Sequence, residues 1–280
     1  MEISVIIPCR NGERHVAQCL ESLLAQRFPA GEFEILLADN ASTDRTAEIA
    51  RRYPRVKVVR EEKLGSYAAR NAAAREARGR ILAFTDADCA ADPDWLETIA
   101  GAMRDEGTVL LLGSRRFARA GIVLNAVADY ETERARMIYG QNDPRIYYAY
   151  TNNLAVRREA FDRCGPFVEI ARGGDVVFAS RVVAAYGCDA MRFVEAMRIR
   201  HLEIDRWYAW HRKMWIYGQS YQRYHTLSGT RPLHYAERFR ILWRAAAKSP
   251  LPWLRAPLLL ASGLAASLAF AAGRRRARRG

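Results

Sequence analysis

Over its first two hundred residues the chain alternates short apolar runs with amphipathic stretches, a pattern that restricts it to a mostly parallel sheet covered by helices. Runs of strand character are Ile3 to Ile7, Glu34 to Ala38, Val56 to Val59, Ile81 to Thr85 and Val109 to Ser114. Between them His15 to Ala25, Thr43 to Tyr53, Tyr67 to Arg78 and Trp95 to Arg104 place Val, Leu, Ile and Ala at helical spacing. The expected class is α/β, with a Rossmann-like order. No G-x-G-x-x-G follows the first strand, which argues against a dinucleotide cofactor. At 280 residues, half of them hydrophobic, the chain can form one large α/β domain with appendages or two small domains, and cannot be wholly disordered.

Three strand ends carry polar residues instead of plain turn residues: Pro8-Cys9-Arg10-Asn11, Asp39-Asn40-Ala41-Ser42-Thr43-Asp44 and Asp86-Ala87-Asp88. Parallel strands present such ends to one side, where open α/β sheets hold their ligands. Carboxylates spaced by one residue suit Mg²⁺ or Mn²⁺, because a substrate diphosphate can complete the oxygen shell. The alternative is a turn in which Asp86 and Asp88 only cap the next segment.

Charge is balanced over residues 1–199, with 28 basic and 28 acidic side chains, so the whole net charge of +13 lies in residues 200–280, where 16 stand against 3. Such a segment suits nucleic acid, an anionic membrane or a solvated tail. Five scattered cysteines without a CxxC pair read as reduced cytosolic thiols. The amino terminus enters a strand directly, and no signal peptide is visible.

With these features the chain resembles the family 2 glycosyltransferases, which have the nucleotide-sugar-binding GT-A fold. The matching stretches are Ser4-Val5-Ile6-Ile7-Pro8 with Asn11, Ala38 to Asp44, Ala69-Arg70-Asn71, Asp86-Ala87-Asp88, Thr151-Asn152-Asn153, and Gly173-Gly174-Asp175 followed by Arg181. They occur in family order over roughly residues 1–205. The resemblance implies a GT-A domain over 1–205, with a nucleotide-sugar half (1–115) and an acceptor half (116–205), built on a mostly parallel mixed sheet flanked by helices. It implies that Asp39 binds the base, that Pro8, Arg10 and Asn11 line the base and ribose pocket, and that Arg70 faces ribose or diphosphate. Asp86 and Ala87 would contact ribose or sugar, and Asp88 would bind Mg²⁺ or Mn²⁺ with His201 as a further ligand. On the acceptor side it implies contacts from Asn152, Asn153 and Gly174, with Asp175 as general base for an inverting displacement. Plainer roles stand beside these: a helix cap for Asp39 or Asp175, a solvated charge for Arg70, a structural role for His201. The family's usual Glu-Asp pair is here Gly174-Asp175, so acceptor class does not carry over.

Beyond residue 205 two further regions are expected. Trp207, Trp210, Met214, Tyr217, Tyr221 and Tyr224 recur at steps of three and four, with Arg206, Arg212, Lys213 and Arg223 around them, giving a basic aromatic helical region over 206–250. Such a stripe fits a membrane interface or core packing, while nothing resembles a nucleic-acid-binding motif. Residues 251–280 contain eighteen uncharged residues from Ala256 to Gly273, bounded by Arg255 and by Arg274-Arg275-Arg276-Ala277-Arg278-Arg279. This is a candidate anchor at the inner face of the cell membrane, shallow or re-entrant by preference, a single span as second choice, or a docked soluble helix.

The reading that joins these parts is a metal-dependent, inverting transferase that moves a single sugar from a nucleotide-sugar, by family habit a UDP-sugar, to a hydroxyl of a membrane-associated or polyprenyl-linked glycan precursor, with no role for nucleic acid. The lack of a long multi-span region argues against processive synthesis. The competing classes are a sugar nucleotidyltransferase, which would show a Gly-rich basic loop after its first strand, and a non-catalytic nucleotide-binding or membrane-scaffolding protein.

Overall fold

The computed structural model describes residues 1–118, 121–203 and 207–277, the side chains of 207–209 excepted; Arg206, the side chain of Trp207, Arg278 and Arg279 lie outside the described residues. An eight-stranded sheet forms the centre: β1 (Ile3–Cys9), β2 (Phe33–Asp39), β3 (Val56–Arg60), β4 (Ile81–Thr85), β5 (Cys89–Ala91), β6 (Leu110–Phe117), β7 (Asn153–Arg157) and β8 (Met191–His201), in spatial order 3-2-1-4-7-6-8-5. β1 pairs in parallel with β2 and β4, and β2 with β3, so the polar ends after β1, β2 and β4 emerge side by side. β7 is antiparallel to both β4 and β6, and β5 is antiparallel to β8. The sheet is therefore mixed, with two reversed strands that no sequence run announces.

Side-chain alternation divides the core into two layers. Ile6, Leu36, Leu82, Phe84, Leu110 and Leu154 point to the face covered by α3 (Ser66–Glu76), α5 (Ile122–Tyr139), α6 (Arg158–Cys164) and α7 (Gly174–Tyr186). Val5, Ile7, Ile35, Leu37, Ala83 and Leu111 point to the face covered by α1 (Val16–Leu24), α2 (Thr46–Arg51) and α4 (Trp95–Ala102). In α3 the alanines 68, 69, 72, 73 and 74 are all buried, and their small size lets this helix lie close on the sheet. Truncating a fully buried ring such as Phe84 to Ala would cost about 3–5 kcal/mol.

The carboxyl-terminal part is three helices, α8 (Trp207–Ser228), α9 (Tyr235–Ala247) and α10 (Pro252–Ala277). The basic aromatic helical region expected over 206–250 consists of α8 and α9, parted where Gly229 takes a left-handed φ of 64° and Pro232 follows. The aromatic stripe of α8 packs on protein. Trp210 meets Phe117 edge-on, Tyr221 meets Phe270 of α10, and Tyr224 lies against Gly173 at the start of α7. α8 and α10 cross in backbone contact. A Cβ added at Gly218 would stand 2.1 Å from the Phe270 carbonyl oxygen, and one at Gly273 2.1 Å from that of Trp215.

Candidate active site

The loops after β1 and β2 are organised by their own side chains. Asn11, at a positive φ of 52°, accepts at Oδ1 from the Thr43 amide (2.9 Å), and its own amide donates to Ser42 Oγ (3.1 Å). Buried Asp39, the last residue of β2, accepts from the Ser42 amide at 3.2 Å. The helix-capping alternative for Asp39 falls to Asp44, whose Oδ1 accepts from the Thr46 amide at 2.9 Å. Asn40 ties the loop after β2 to the segment before α3, donating to the carbonyls of Glu61 and Lys63 and accepting from the Gly65 amide. Pro8 is buried and Arg10 exposed at the end of β1.

Asp86-Ala87-Asp88 joins β4 to β5. It is a turn, closed by the Cys89 amide donating to the Asp86 carbonyl at 3.0 Å, and it also presents carboxylates. Asp86 pairs with the buried guanidinium of Arg70, which excludes the solvated alternative for that arginine. Arg70 sits one turn along α3 from Tyr67 and lies 5.4 Å from its ring centroid. Asp88 Oδ2 is 3.5 Å from Nε2 of His201, the last residue of β8. Burial, then the charge of Asp86, raises the Asp88 carboxyl above its ordinary range. Burial, reinforced by the Lys213 charge, pushes His201 down to about 3, so its imidazole is neutral. The Nδ1 of His201 is buried without a partner, whereas Nε2 lies 2.8 Å from Lys213 Nζ. Asp88, Cys89 and His201 bring one potential ligand atom each within 4.8 Å. Carboxylate and neutral imidazole fit Mg²⁺ or Mn²⁺; the Cys89 thiol, raised by burial, does not suit such hard cations.

Asp175 lies in the first turn of α7, close enough to Arg70 to feel its charge. Its Oδ1 accepts from the Val176 amide (3.0 Å) and its Oδ2 from the Thr151 amide (3.3 Å), while its own amide donates to the Tyr67 hydroxyl (3.3 Å). Burial raises its carboxyl, and the Tyr67 hydroxyl, the Arg70 charge and these two amides oppose the rise. Asp175 is not the helix cap: Gly173 takes that place, and the Asp175 carboxylate is held by one amide of the first turn and by the distant Thr151 amide.

Two acceptor assignments are corrected. Asn153 is fully buried and clamps three elements together: Nδ2 donates to the carbonyls of Ser114 (2.7 Å) and Met197 (2.9 Å), and Oδ1 accepts from Trp95 Nε1 (2.8 Å). With those groups used, it has nothing to offer an acceptor. Gly174 is pressed against protein; a Cβ there would meet the Val168 carbonyl at 2.6 Å and the Tyr67 ring at 3.0 Å, which also explains why no Glu occupies this position. Asn152 differs from its neighbour, since its Oδ1 is buried without a partner.

Sequence reasoning missed Tyr67 and the part played by α8. Tyr67 precedes Arg70 by three residues on one helix face, a signal that was available. Lys213, Tyr217 and Tyr224 share one face of α8, which runs from His201 past Asp175 to Gly173; burial raises Tyr217, and the Asp175 charge adds to that rise.

Residues 4–165 match the model of glycosyl transferase family 2. Glycosyltransferase AglE of Haloferax volcanii is 33% identical over 189 residues, covering 65% of this chain and 62% of that protein. The poly(ribitol-phosphate) beta-N-acetylglucosaminyltransferase TarS of Staphylococcus aureus is 30% identical over 158 residues, 52% of this chain and 27% of the relative. The chain thus spans less than two thirds of both curated relatives. Among solved structures, the mannosyltransferase PcManGT from Pyrobaculum calidifontis in complex with GDP-Man and Mn²⁺ superposes with a TM-score of 0.67 at 22% identity, over 99% of this chain and 83% of that one. The fold is that of GT-A transferases.

Proposed function

The chain belongs to glycosyl transferase family 2, and from that premise we propose that it transfers a single sugar from a nucleotide-sugar, in the first instance a UDP-sugar, to an acceptor hydroxyl. The acceptor is a membrane-associated or polyprenyl-linked glycan precursor met at the inner face of the cell membrane, and the transfer inverts the anomeric carbon. What carries the reading is that Arg70 links two carboxylate sites: it pairs with Asp86, next to the Asp88–His201 pair, and its charge also acts on the buried carboxyl of Asp175.

In this reading Asp39, Pro8, Arg10 and Asn11 receive the nucleoside, and Asp86 contacts ribose or sugar while Arg70 holds it in place. Asp88 and His201 would hold Mg²⁺ or Mn²⁺, whose Lewis acidity stabilises charge on the departing diphosphate. The Mn²⁺ and GDP-Man bound to the Pyrobaculum mannosyltransferase support a divalent ion with a nucleotide-sugar. Lys213 adds a protein-borne positive charge at the same end. Asp175 takes the proton of the acceptor hydroxyl as its oxygen attacks the anomeric carbon; the bond to diphosphate breaks on the opposite face, and the configuration inverts.

A donor panel read by nucleoside diphosphate release tests this, with D88A and D175A as controls. Release from one donor that both variants abolish is expected. No release from any donor, together with no thermal stabilisation by UDP and Mn²⁺, would sink the enzyme reading.

A further inference from the structure

Helices α9 and α10 turn one face to protein and one to solvent, and both solvent faces carry large apolar side chains. On α9 the residues Leu242, Ala245 and Ala246 pack with Ala126 of α5 and Leu259 of α10, while Phe239 (62% exposed) and Trp243 (58%) stand outward one turn apart. On α10 the inner face carries Leu259, Phe270 and Gly273, while Trp253 (65%), Leu264 (63%) and Leu268 (64%) form an outward row. Exposed apolar rows of this extent mark an interaction surface.

The charge around these rows selects the partner. Residues 207–277 hold twelve Lys and Arg and one acid, Glu237, which Arg231 occupies at 2.9 Å. Among the described residues, Arg240, Arg244 and Arg275 have no acidic partner. Apolar rows bordered by unpaired arginines complement anionic phospholipid.

The glycine crossing decides how α10 meets that lipid. Among the described residues α10 is the one helix long and apolar enough to cross a membrane. Its inner face is nevertheless held in backbone contact with α8 at Gly218 and Gly273, and α8 carries Arg212, Lys213 and Arg223. Spanning would either strip α10 from α8 or draw those cations into hydrocarbon, where they are costly.

We infer that α9 and α10 form one docking face that lies in the headgroup plane of an anionic leaflet, with Phe239, Trp243, Trp253 and Leu264 inserted and α10 not crossing. The inference rests on the proposal that the acceptor is held in a membrane, and it deepens that proposal by naming the face and the lipid class.

The test uses the full chain with vesicles of phosphatidylcholine alone and of phosphatidylcholine mixed with phosphatidylglycerol. Sedimentation should be strong only with the mixed vesicles, and both the triple variant F239S/W243S/L264S and the triple variant R240Q/R244Q/R275Q should lower partitioning about tenfold or more. Carbonate washing should release the bound protein, and tryptophan emission should be quenched by shallow rather than deep lipid labels. Carbonate resistance would overturn the in-plane arrangement, equal binding to neutral vesicles the lipid class, and unchanged partitioning of both variants the face itself. A dimer in solution abolished by the apolar variant would make a second copy the occupant and overturn the inference. Thermal shift with UDP and Mn²⁺, run without lipid, keeps the proposals separate. Lost donor binding with retained vesicle binding breaks the catalytic reading alone, and the reverse pattern breaks this one; a retained shift also certifies that each variant is folded.

Discussion

The proposed donor and acceptor ends of the site are built by different means. At the donor end Asp39 and the Asp86-Ala87-Asp88 turn stand at the carboxyl ends of parallel strands two places apart, so the backbone ladder sets their spacing. At the acceptor end Asp175 stands in the first turn of a helix and is held by groups from far along the chain, the Tyr67 hydroxyl of α3 and the Thr151 amide, with Tyr217 of α8 near enough to feel its charge. The first arrangement is templated by the sheet, whereas the second exists only when tertiary packing is complete. Damage to the sheet should therefore affect both ends, while loss of the Tyr67 hydroxyl or of Tyr217, which lie beside Asp175, should affect the acceptor end alone.

The largest effect that this contrast predicts is at Asp175. D175N should lower kcat roughly 10²–10⁴-fold and leave UDP binding, measured by titration calorimetry, unchanged; weakened UDP binding would erase the distinction between the ends. D88A should lower kcat/KM about 10²-fold through lost metal-assisted stabilisation of the leaving group, with Mn²⁺ titration showing the loss of its dependence. N153A should cost about 3 kcal/mol, since it unpairs Trp95 Nε1–H and two carbonyls. In a melting experiment that is a fall of roughly 6–12 °C, and the surviving folded fraction should retain both donor and acceptor binding.

The smallest effect should come from Y67F. Asp175 must be ionised to act as base, so its rate contribution is lost as pH falls through a value that burial has already raised. Removing the Tyr67 hydroxyl takes away a group that opposes the rise, and the acid limb of kcat/KM should move to higher pH. At neutral pH the loss should be about two- to fivefold. An acid limb left in place would mean that Tyr67 supports only packing.

The same contrast accounts for what the sequence revealed. β4 is read from sequence at Ile81 to Thr85, and β1, β2 and β3 within a residue or two, because buried parallel strands write themselves as apolar runs. β5 has three residues and β7 only five, Asn153 to Arg157, too short to show a period; their reversed direction is a tertiary choice. α5 stayed unplaced because its buried Leu124, Val127, Ala135 and Ile138 are interspersed with Glu131, Glu133, Arg134 and Arg136, which serve ion pairs in place of solvent. At the site, the carboxylates at strand ends were legible as residue types. Motif adjacency could not tell Asn152 from Asn153, although strand alternation sends neighbours to opposite sides. Lys213 carried no local mark at all, since its partner His201 is fixed by a different element.

The contact of Gly218 and Gly273 with opposing backbones has a mechanical consequence. Two helices that touch carbonyl to Cα leave no layer of side chains to compress or slide, so α10 and α8 form a single stiff lever. Any force on α10, whether from a lipid surface, a fused tag or a truncation, reaches Tyr217 and Tyr224 undamped. The carboxyl-terminal helix therefore backs the wall beside Asp175, and a shortened chain that ends before Pro252 should lose the support that holds Tyr217 and Tyr224 in place.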